Sequence, residues 1–275
     1  MKELMFVCPV CGEGLTRGEK SYICPKGHCF DIARQGYVNL LNSSSRGRHG
    51  DDKLMVKARA DFLSKGLYDP LSREIAACAV QYAPEDSLIL DAGCGEGKYT
   101  ADVLHTLQST GKTVQMIGID ISKDALIYAA KRSDQLHLAV ASSAALPLGS
   151  GCADIVLNIF SPFISGEFLR VLSAGGVLIR VYPLERHLWQ LKELLYENPY
   201  ENPPHETEVG GFSQVETRHV VYSVLLRSNA EIMELFKMTP YYYKTSREDQ
   251  KKAENARSLE LTLQFGISVY RKAEL

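Results

Sequence analysis

The run LILDAGCGEGKYT, residues 88–100, constrains the fold of this chain more than any other stretch. A short apolar strand closes on Asp91, glycines follow at Gly93, Gly95 and Gly97, and a helical pattern begins at once. Glycine accepts positive φ and lets backbone approach a neighbour closely, while a helix start presents free N–H groups. The segments that follow repeat the rhythm. VQMIGID, LHLAVAS, DIVLNIF and GGVLIRVY are short Val/Ile/Leu strands. They alternate with helical YTADVLHTLQ, SKDALIYAAKR (capped by Ser122) and EFLRVLSAG, the last running to Gly175. Buried strands separated by helices imply an α/β protein with a mostly parallel sheet covered on both faces. ERHLWQLKELLY reads as a further helix, and TRHVVYSVLLRS and LTLQFGISVYR as a late antiparallel edge. Between them NPYENPPHETEVGG is turn-rich, a long surface loop in preference to a lid.

The spacing of the glycines narrows the ligand. G-C-G-E-G is G-x-G-x-G, not the G-x-G-x-x-G of phosphate-cradling turns, and an acid stands directly before it. That suits a donor without phosphate that carries an ammonium group, as S-adenosylmethionine (AdoMet) does. Asp120 ends the next strand, where a carboxylate accepts from ribose hydroxyls. The third strand ends in Ala141, Ser142 and Ser143, small residues able to flank an adenine. On these three strand ends, residues 85–182 resemble class I AdoMet-dependent methyltransferases, which implies a Rossmann-like, mostly parallel seven-stranded sheet. The acceptor pocket is expected beyond the fourth strand, at residues 158–163, where Phe160 and Phe163 either stack on a base or pack into the core.

Four of the seven cysteines crowd the first thirty residues. Cys8 and Cys11 in CPVCG, then Cys24 and His28 in CPKGH, have the spacing of a closed tetrahedral Cys₃His zinc site. Cys29 competes with His28 as the fourth ligand. Four protein ligands leave no open position, so the zinc is structural. An odd, unevenly spread cysteine total argues against a disulfide framework, and no apolar run approaches the roughly 18–20 residues of a membrane span; both favour the cytoplasm. The expected organisation is a zinc-binding module over 1–41, a polar linker over 42–52 and a methyltransferase domain over 53–275. That last part divides into a helical lead-in (53–83, broken at Asp69–Pro70), a core (85–182) and a C-terminal extension (183–275). Residues 1–59 hold ten Lys/Arg and six Asp/Glu, a charge of +4, against −6 for the remainder and −2 overall. A basic amino end on an acidic body points to a polyanion gripped at one end, and a solvated basic face explains it equally well.

Over most of its length the chain is similar to the bacterial large-subunit (23S) rRNA guanine-N1 methyltransferases, a family with members that confer macrolide resistance. The matching stretches are CPVCGEGL, SYICPKGHCFDIARQGYVNLL, KARADFLSKGLYDPL, LDAGCGEGKYT, GIDISKDAL, VASSAALPL, ERHLWQLKELLY and MTPYYYK. The resemblance implies methyl transfer from AdoMet to N1 of a guanine in a 23S rRNA hairpin loop. It implies zinc on Cys8, Cys11, Cys24 and His28, and AdoMet contacts from Tyr68, Tyr99, Thr100 and His187. Periodicity alone makes Tyr68 and His187 ordinary amphipathic residues. Arg17, Lys20, Lys26 and Arg34, with Arg46, Arg48 and Lys53, are expected to grip RNA phosphates, and a homodimer is left open. No residue identifies itself as the base for the N1 proton; His187, Asn158 or a backbone carbonyl are the candidates. The alternatives are a small-molecule AdoMet methyltransferase with a structural zinc knob and a non-catalytic ribosome-binding protein.

Overall fold

The computed structural model describes residues 6–41, 50–206 and 208–273. The amino end carries short strands β1 (Thr16–Arg17), β2 (Ser21–Ile23), β3 (Cys29–Asp31) and β4 (Val38–Asn39). Helices α1 (Lys53–Leu63) and α2 (Asp69–Tyr82) follow, separated where Pro70 permits a new helix start and no continuation. Then come β5 (Asp86–Ala92), α3 (Lys98–Ser109), β6 (Thr113–Asp120), α4 (Lys123–Ala129), β7 (Leu136–Val140), β8 (Ala153–Ile159), α5 (Ser165–Val171) and β9 (Leu172–Pro183). The last third supplies α6 (Trp189–Leu195), β10 (Phe212–Leu226), α7 (Asn229–Lys237), α8 (Tyr241–Lys244), α9 (Arg247–Asn255) and β11 (Leu259–Lys272).

The main sheet runs β10-β11-β9-β8-β5-β6-β7-β4. Its strands from β9 through β4 are parallel, and β11 and β10 complete it as antiparallel edge strands. Chain order reverses beside β5, so β5 and β6 end where a doubly wound sheet opens its ligand crevice. The seven strands that the resemblance implies are joined by an eighth, β4, in which Val38 and Asn39 of the GYVNLL segment pair in parallel with Ala139 and Val140. The amino-terminal module therefore lies on the sheet itself. Phe6, Leu15, Tyr22, Val38 and Leu40 share one buried core with Leu88, Leu90, Ile117, Ile119 and Leu148 on one sheet face. The opposite face packs against α2, α3 and α7 through Leu71, Ile75, Leu104, Leu107 and Phe236.

Two helix boundaries lie four residues from the sequence expectation, and α4 ends at Ala129 where the expected helix ran on to Arg132. α5 stops at Val171, not Gly175, because β9 starts at Leu172 and its register to β8 slips between Ala153↔Leu172 and Ile155↔Val177. The extra residues bulge there, with Gly175 at φ +73°. α6 begins at Trp189, not Glu185, because Leu188 takes the left-handed conformation (φ 57°) and Leu184–His187 forms a turn. Of the expected linker 42–52, residues 42–49 lie outside the described residues, Arg46 and Arg48 among them. Its last residues, Gly50–Asp52, lie against the β6 end. A Cβ on Gly50 would meet Ile121 Cγ2 at 2.8 Å, and Asp51 carbonyl accepts from Ser122 Oγ at 3.0 Å.

Candidate cofactor site and metal centre

Asp91 and Asp120 stand at the ends of the adjoining strands β5 and β6. Asp91 is buried; its Oδ2 accepts from Thr100 Oγ1 at 2.6 Å, and its Oδ1 has no hydrogen-bond partner among the described residues. Burial pushes its carboxyl up to about 7, with the Asp120 charge adding to the shift and Thr100 opposing it. Asp120 is differently placed. Its Oδ2 accepts from Gly95 N at 2.9 Å and its Oδ1 from Ser122 N at 2.7 Å, so it ties the glycine turn to the start of α4. Burial raises its carboxyl too, against the pull of those two amides.

The three glycines have different work. Gly97 starts α3 at φ 83°, and a Cβ there would lie 2.8 Å from Ala129 of α4, so its smallness serves helix packing. A Cβ on Gly93 would meet the Ser161 side chain at 2.4 Å. Gly95, at φ 56°, has nothing nearer than Arg59 Nη1 at 3.7 Å, and its flank is open. Thr100 is buried with its hydroxyl engaged by Asp91, so it acts through that carboxylate. Ser142, at the end of β7, accepts from Ala144 N at 3.2 Å and shapes the turn after the strand.

An aromatic wall rises beside these acids. Phe265 of β11 is its centre, with ring centroids 5.3 Å from Tyr68, 5.7 Å from Phe160 and 4.5 Å from His187. Tyr99 adds its ring 6.2 Å from Phe160. Phe160 is 45% exposed and sits at φ 52°, a backbone state that bulky residues rarely occupy. Phe163, paired with it in the sequence reading, points elsewhere: it packs on Phe168 and lies under the Arg180 guanidinium at 4.2 Å. Asn158 is buried and its amide donates to Ser161 O, Ser161 Oγ and Pro162 O, while Ser161 Oγ reaches Ala92 O. It secures the post-β8 loop. His187, in the turn before α6, accepts at Nδ1 from Gln264 N (3.2 Å), which places its proton on Nε2. Burial, helped by the Lys192 charge, lowers its pKa to about 3, so the ring is neutral. Phe265 is a residue of this wall that the sequence reading missed; it is one apolar member of an alternating strand and carries no local signal.

At the amino end, ligand atoms of Cys8, Cys11, Cys24 and His28 all lie within 4.8 Å of one another. Cys11 Sγ and Cys24 Sγ are 3.7 Å apart, and His28 Nδ1 is 3.5 Å from Cys8 Sγ and 3.3 Å from Cys24 Sγ. Zn–S bonds of about 2.3 Å set at tetrahedral angles give an S···S edge of about 3.8 Å, so the cluster fits the ion. Two tight turns build it, with Gly12 N on Cys8 O, Gly27 N on Cys24 O, and both glycines at positive φ. Desolvation works against the Cys24 thiolate, yet the amides of His28 and Lys26 bring the thiol down to about 7. Cys29 is exposed on β3 and stands outside the cluster, which leaves His28 as the fourth member.

Comparison with known proteins fits both halves. Residues 6–45 match the family described as "RlmA, N-terminal", a zinc ribbon, and residues 85–239 match a methyltransferase domain. YxjB of Bacillus subtilis, named as a 23S rRNA (guanine-N1)-methyltransferase, is 32% identical over 98% of this chain and 97% of its own length. The chain belongs to the 23S rRNA guanine-N1 methyltransferase family. A second member, the 23S rRNA (guanine(748)-N1)-methyltransferase of Streptomyces fradiae, is 36% identical over 68% of this chain and 66% of that one. The fold reaches further than the activity. The [4+2]-cyclase SpnF superposes with a TM-score of 0.52 over 80% of this chain and 93% of its own, at 16% identity. Like the family, the chain is an AdoMet-dependent methyltransferase with a zinc module. Among the described residues no helix is long and apolar enough to cross a membrane.

Proposed function

We propose that this protein transfers the methyl group of AdoMet to N1 of a guanine in a 23S rRNA hairpin loop, in the cytoplasm. The observation that carries the reading is the buried, unpartnered Oδ1 of Asp91 beside the Asp120 strand end. A buried carboxylate oxygen without a donor is costly unless a ligand supplies one. AdoMet supplies an ammonium group there and an electrophilic methyl on a sulfonium centre. In this reading Asp91 takes the ammonium, Asp120 the ribose hydroxyls, and Gly93, Gly95 and Gly97 keep the turn low beneath the donor. Ser142 flanks the adenine. Tyr68, Tyr99, Phe160 and Phe265 exclude water and offer ring faces to a cationic centre.

His187 serves as a neutral Nε2–H donor toward the cofactor. With a pKa of about 3 it is a poor acceptor for the guanine N1 proton, and Asn158 is engaged by its own loop. We assign neither as the base. Cys8, Cys11, Cys24 and His28 hold a structural zinc that braces the module over 1–41. Exposed Arg17, Lys20 and Arg34 meet RNA phosphates, with Lys26 tied to Glu13 at 3.2 Å.

The test is labelled-methyl transfer to unmodified large-subunit RNA, followed by reverse transcription. N1 methylation blocks Watson–Crick pairing, so the polymerase is expected to stop beside one guanine in a hairpin loop. Incorporation without a stop would reject N1, and labelling of metabolites in place of RNA would support the small-molecule reading.

A further inference from the structure

We propose that Arg59 binds the carboxylate of the donor's amino-acid end, an assignment that rests on reading the β5 and β6 strand ends as the AdoMet site. That end of AdoMet carries two charges. Asp91 answers the ammonium; a carboxylate held beside it needs a cation of its own. Three cations ring the glycine turn. Lys98 is held by Asp69 (3.0 Å) and Asp102 on the flank of α3, and Arg132 by the buried Glu96. Both are committed to acidic partners of their own.

Arg59, from α1, faces the open side. Its Nη1 lies 3.7 Å from where a Cβ on Gly95 would stand, and it is the nearest atom there. Its charge reaches both neighbouring site groups, pulling down Asp120 and Tyr99 against the effect of their burial. Its present partners hold it without exhausting it. Nη1 donates to Asp51 and Nη2 to Met238 O at 3.3 Å. A guanidinium has five N–H donors in a rigid fork, so three remain, and a fork can bridge two carboxylates. Asp51 is itself pinned through its carbonyl to Ser122 Oγ, which fixes the direction in which Arg59 points. The end of the linker thus aims a cation across the glycine turn.

The test compares AdoMet with decarboxylated AdoMet by calorimetric titration of the full chain. The wild type is expected to bind AdoMet about 10- to 100-fold more tightly than the decarboxylated form, the worth of one charge-assisted hydrogen-bonded pair. Arg59→Met is expected to abolish that preference by weakening AdoMet alone, and Arg59→Lys to keep part of it, with thermal melting showing that both variants fold. Equal weakening of both donors by Arg59→Met would make Arg59 a scaffold residue and overturn the assignment. So would a wild type that fails to discriminate the two, a comparison that needs no variant. A wild type that binds neither donor would overturn the assignment together with the AdoMet site beneath it.

Discussion

The metal cluster and the strand-end pocket are built from similar material, buried polar side chains on tight glycine turns, and they are finished in opposite ways. In the cluster every donor faces the other three, and its positive-φ positions are glycines, Gly12 and Gly27. In the pocket Asp91 keeps an unpartnered oxygen with its carboxyl raised to about 7. The two non-glycine residues with positive φ among the described residues, Phe160 and Leu188, both flank that pocket. Unsatisfied charge and backbone strain each cost on the order of 1–3 kcal/mol, and they persist where a ligand or a reaction uses them. A closed site stabilises its surroundings. An open one is tolerated by them.

Removing the metal is the largest way to break this contrast. Changes behind a zinc ligand already cost about 10–100-fold in metal affinity, and loss of a ligand costs more. Cys24→Ser or chelation is expected to release zinc, unfold the amino-terminal strands and abolish RNA methylation, while AdoMet affinity holds; zinc content, limited proteolysis and calorimetry read the three. Because Phe6, Val38 and Leu40 share a core with the sheet, a parallel collapse of AdoMet affinity would show that the two regions form one cooperative unit.

The next effect is electrostatic. Only ionised Asp91 attracts an ammonium group, so AdoMet affinity should rise about tenfold between pH 6 and pH 8 for a carboxyl near 7. Asp91→Asn should lose that slope and bind AdoMet about 10- to 100-fold more weakly. The unliganded protein should respond in the other direction. Its Asp91 binds a proton more tightly folded than unfolded (3.8), so stability falls as pH rises from about 4 to about 7. Asp91→Asn should remove that fall, on the order of 2–4 kcal/mol, as read from thermal melts across the range. A flat affinity profile for the wild type would mean that Asp91 does not meet the cofactor's charge.

The smallest effect sharpens the comparison. Phe160→Gly relieves a left-handed backbone and removes a half-exposed ring, so the unfolding free energy read from urea titration should hold or rise by up to about 1 kcal/mol while methyl transfer slows. A loss of stability of that size would make the ring core packing.

How much of this was legible follows from the range of the forces involved. The glycine turn, the acid before it, the acid at the next strand end and the Cys/His spacing are local signatures, the longest of which runs only from Cys8 to His28. The Ser122 cap, accepting from Ala125 N, is local too. The break at Asp69–Pro70 and the antiparallel pair β10 and β11 follow from backbone chemistry and period-two alternation. Those features the sequence determined by itself.

Other features needed the folded chain, because their cause lies far along it. Phe265 meets Tyr68 and Phe160 only when β11 inserts between β10 and β9, and the neutral state of His187 depends on Gln264 and the buried surroundings of its turn. The parting of Phe160 from Phe163 is set by a left-handed residue and by Arg180. Arg59 reads as one more charge on an amphipathic helix until Asp51 and the Gly95 turn come together beneath it. Short-range periodicity and turn chemistry chose the elements and their order. Which side chains face one cavity was decided by packing between residues remote in sequence, where no local pattern carries the information.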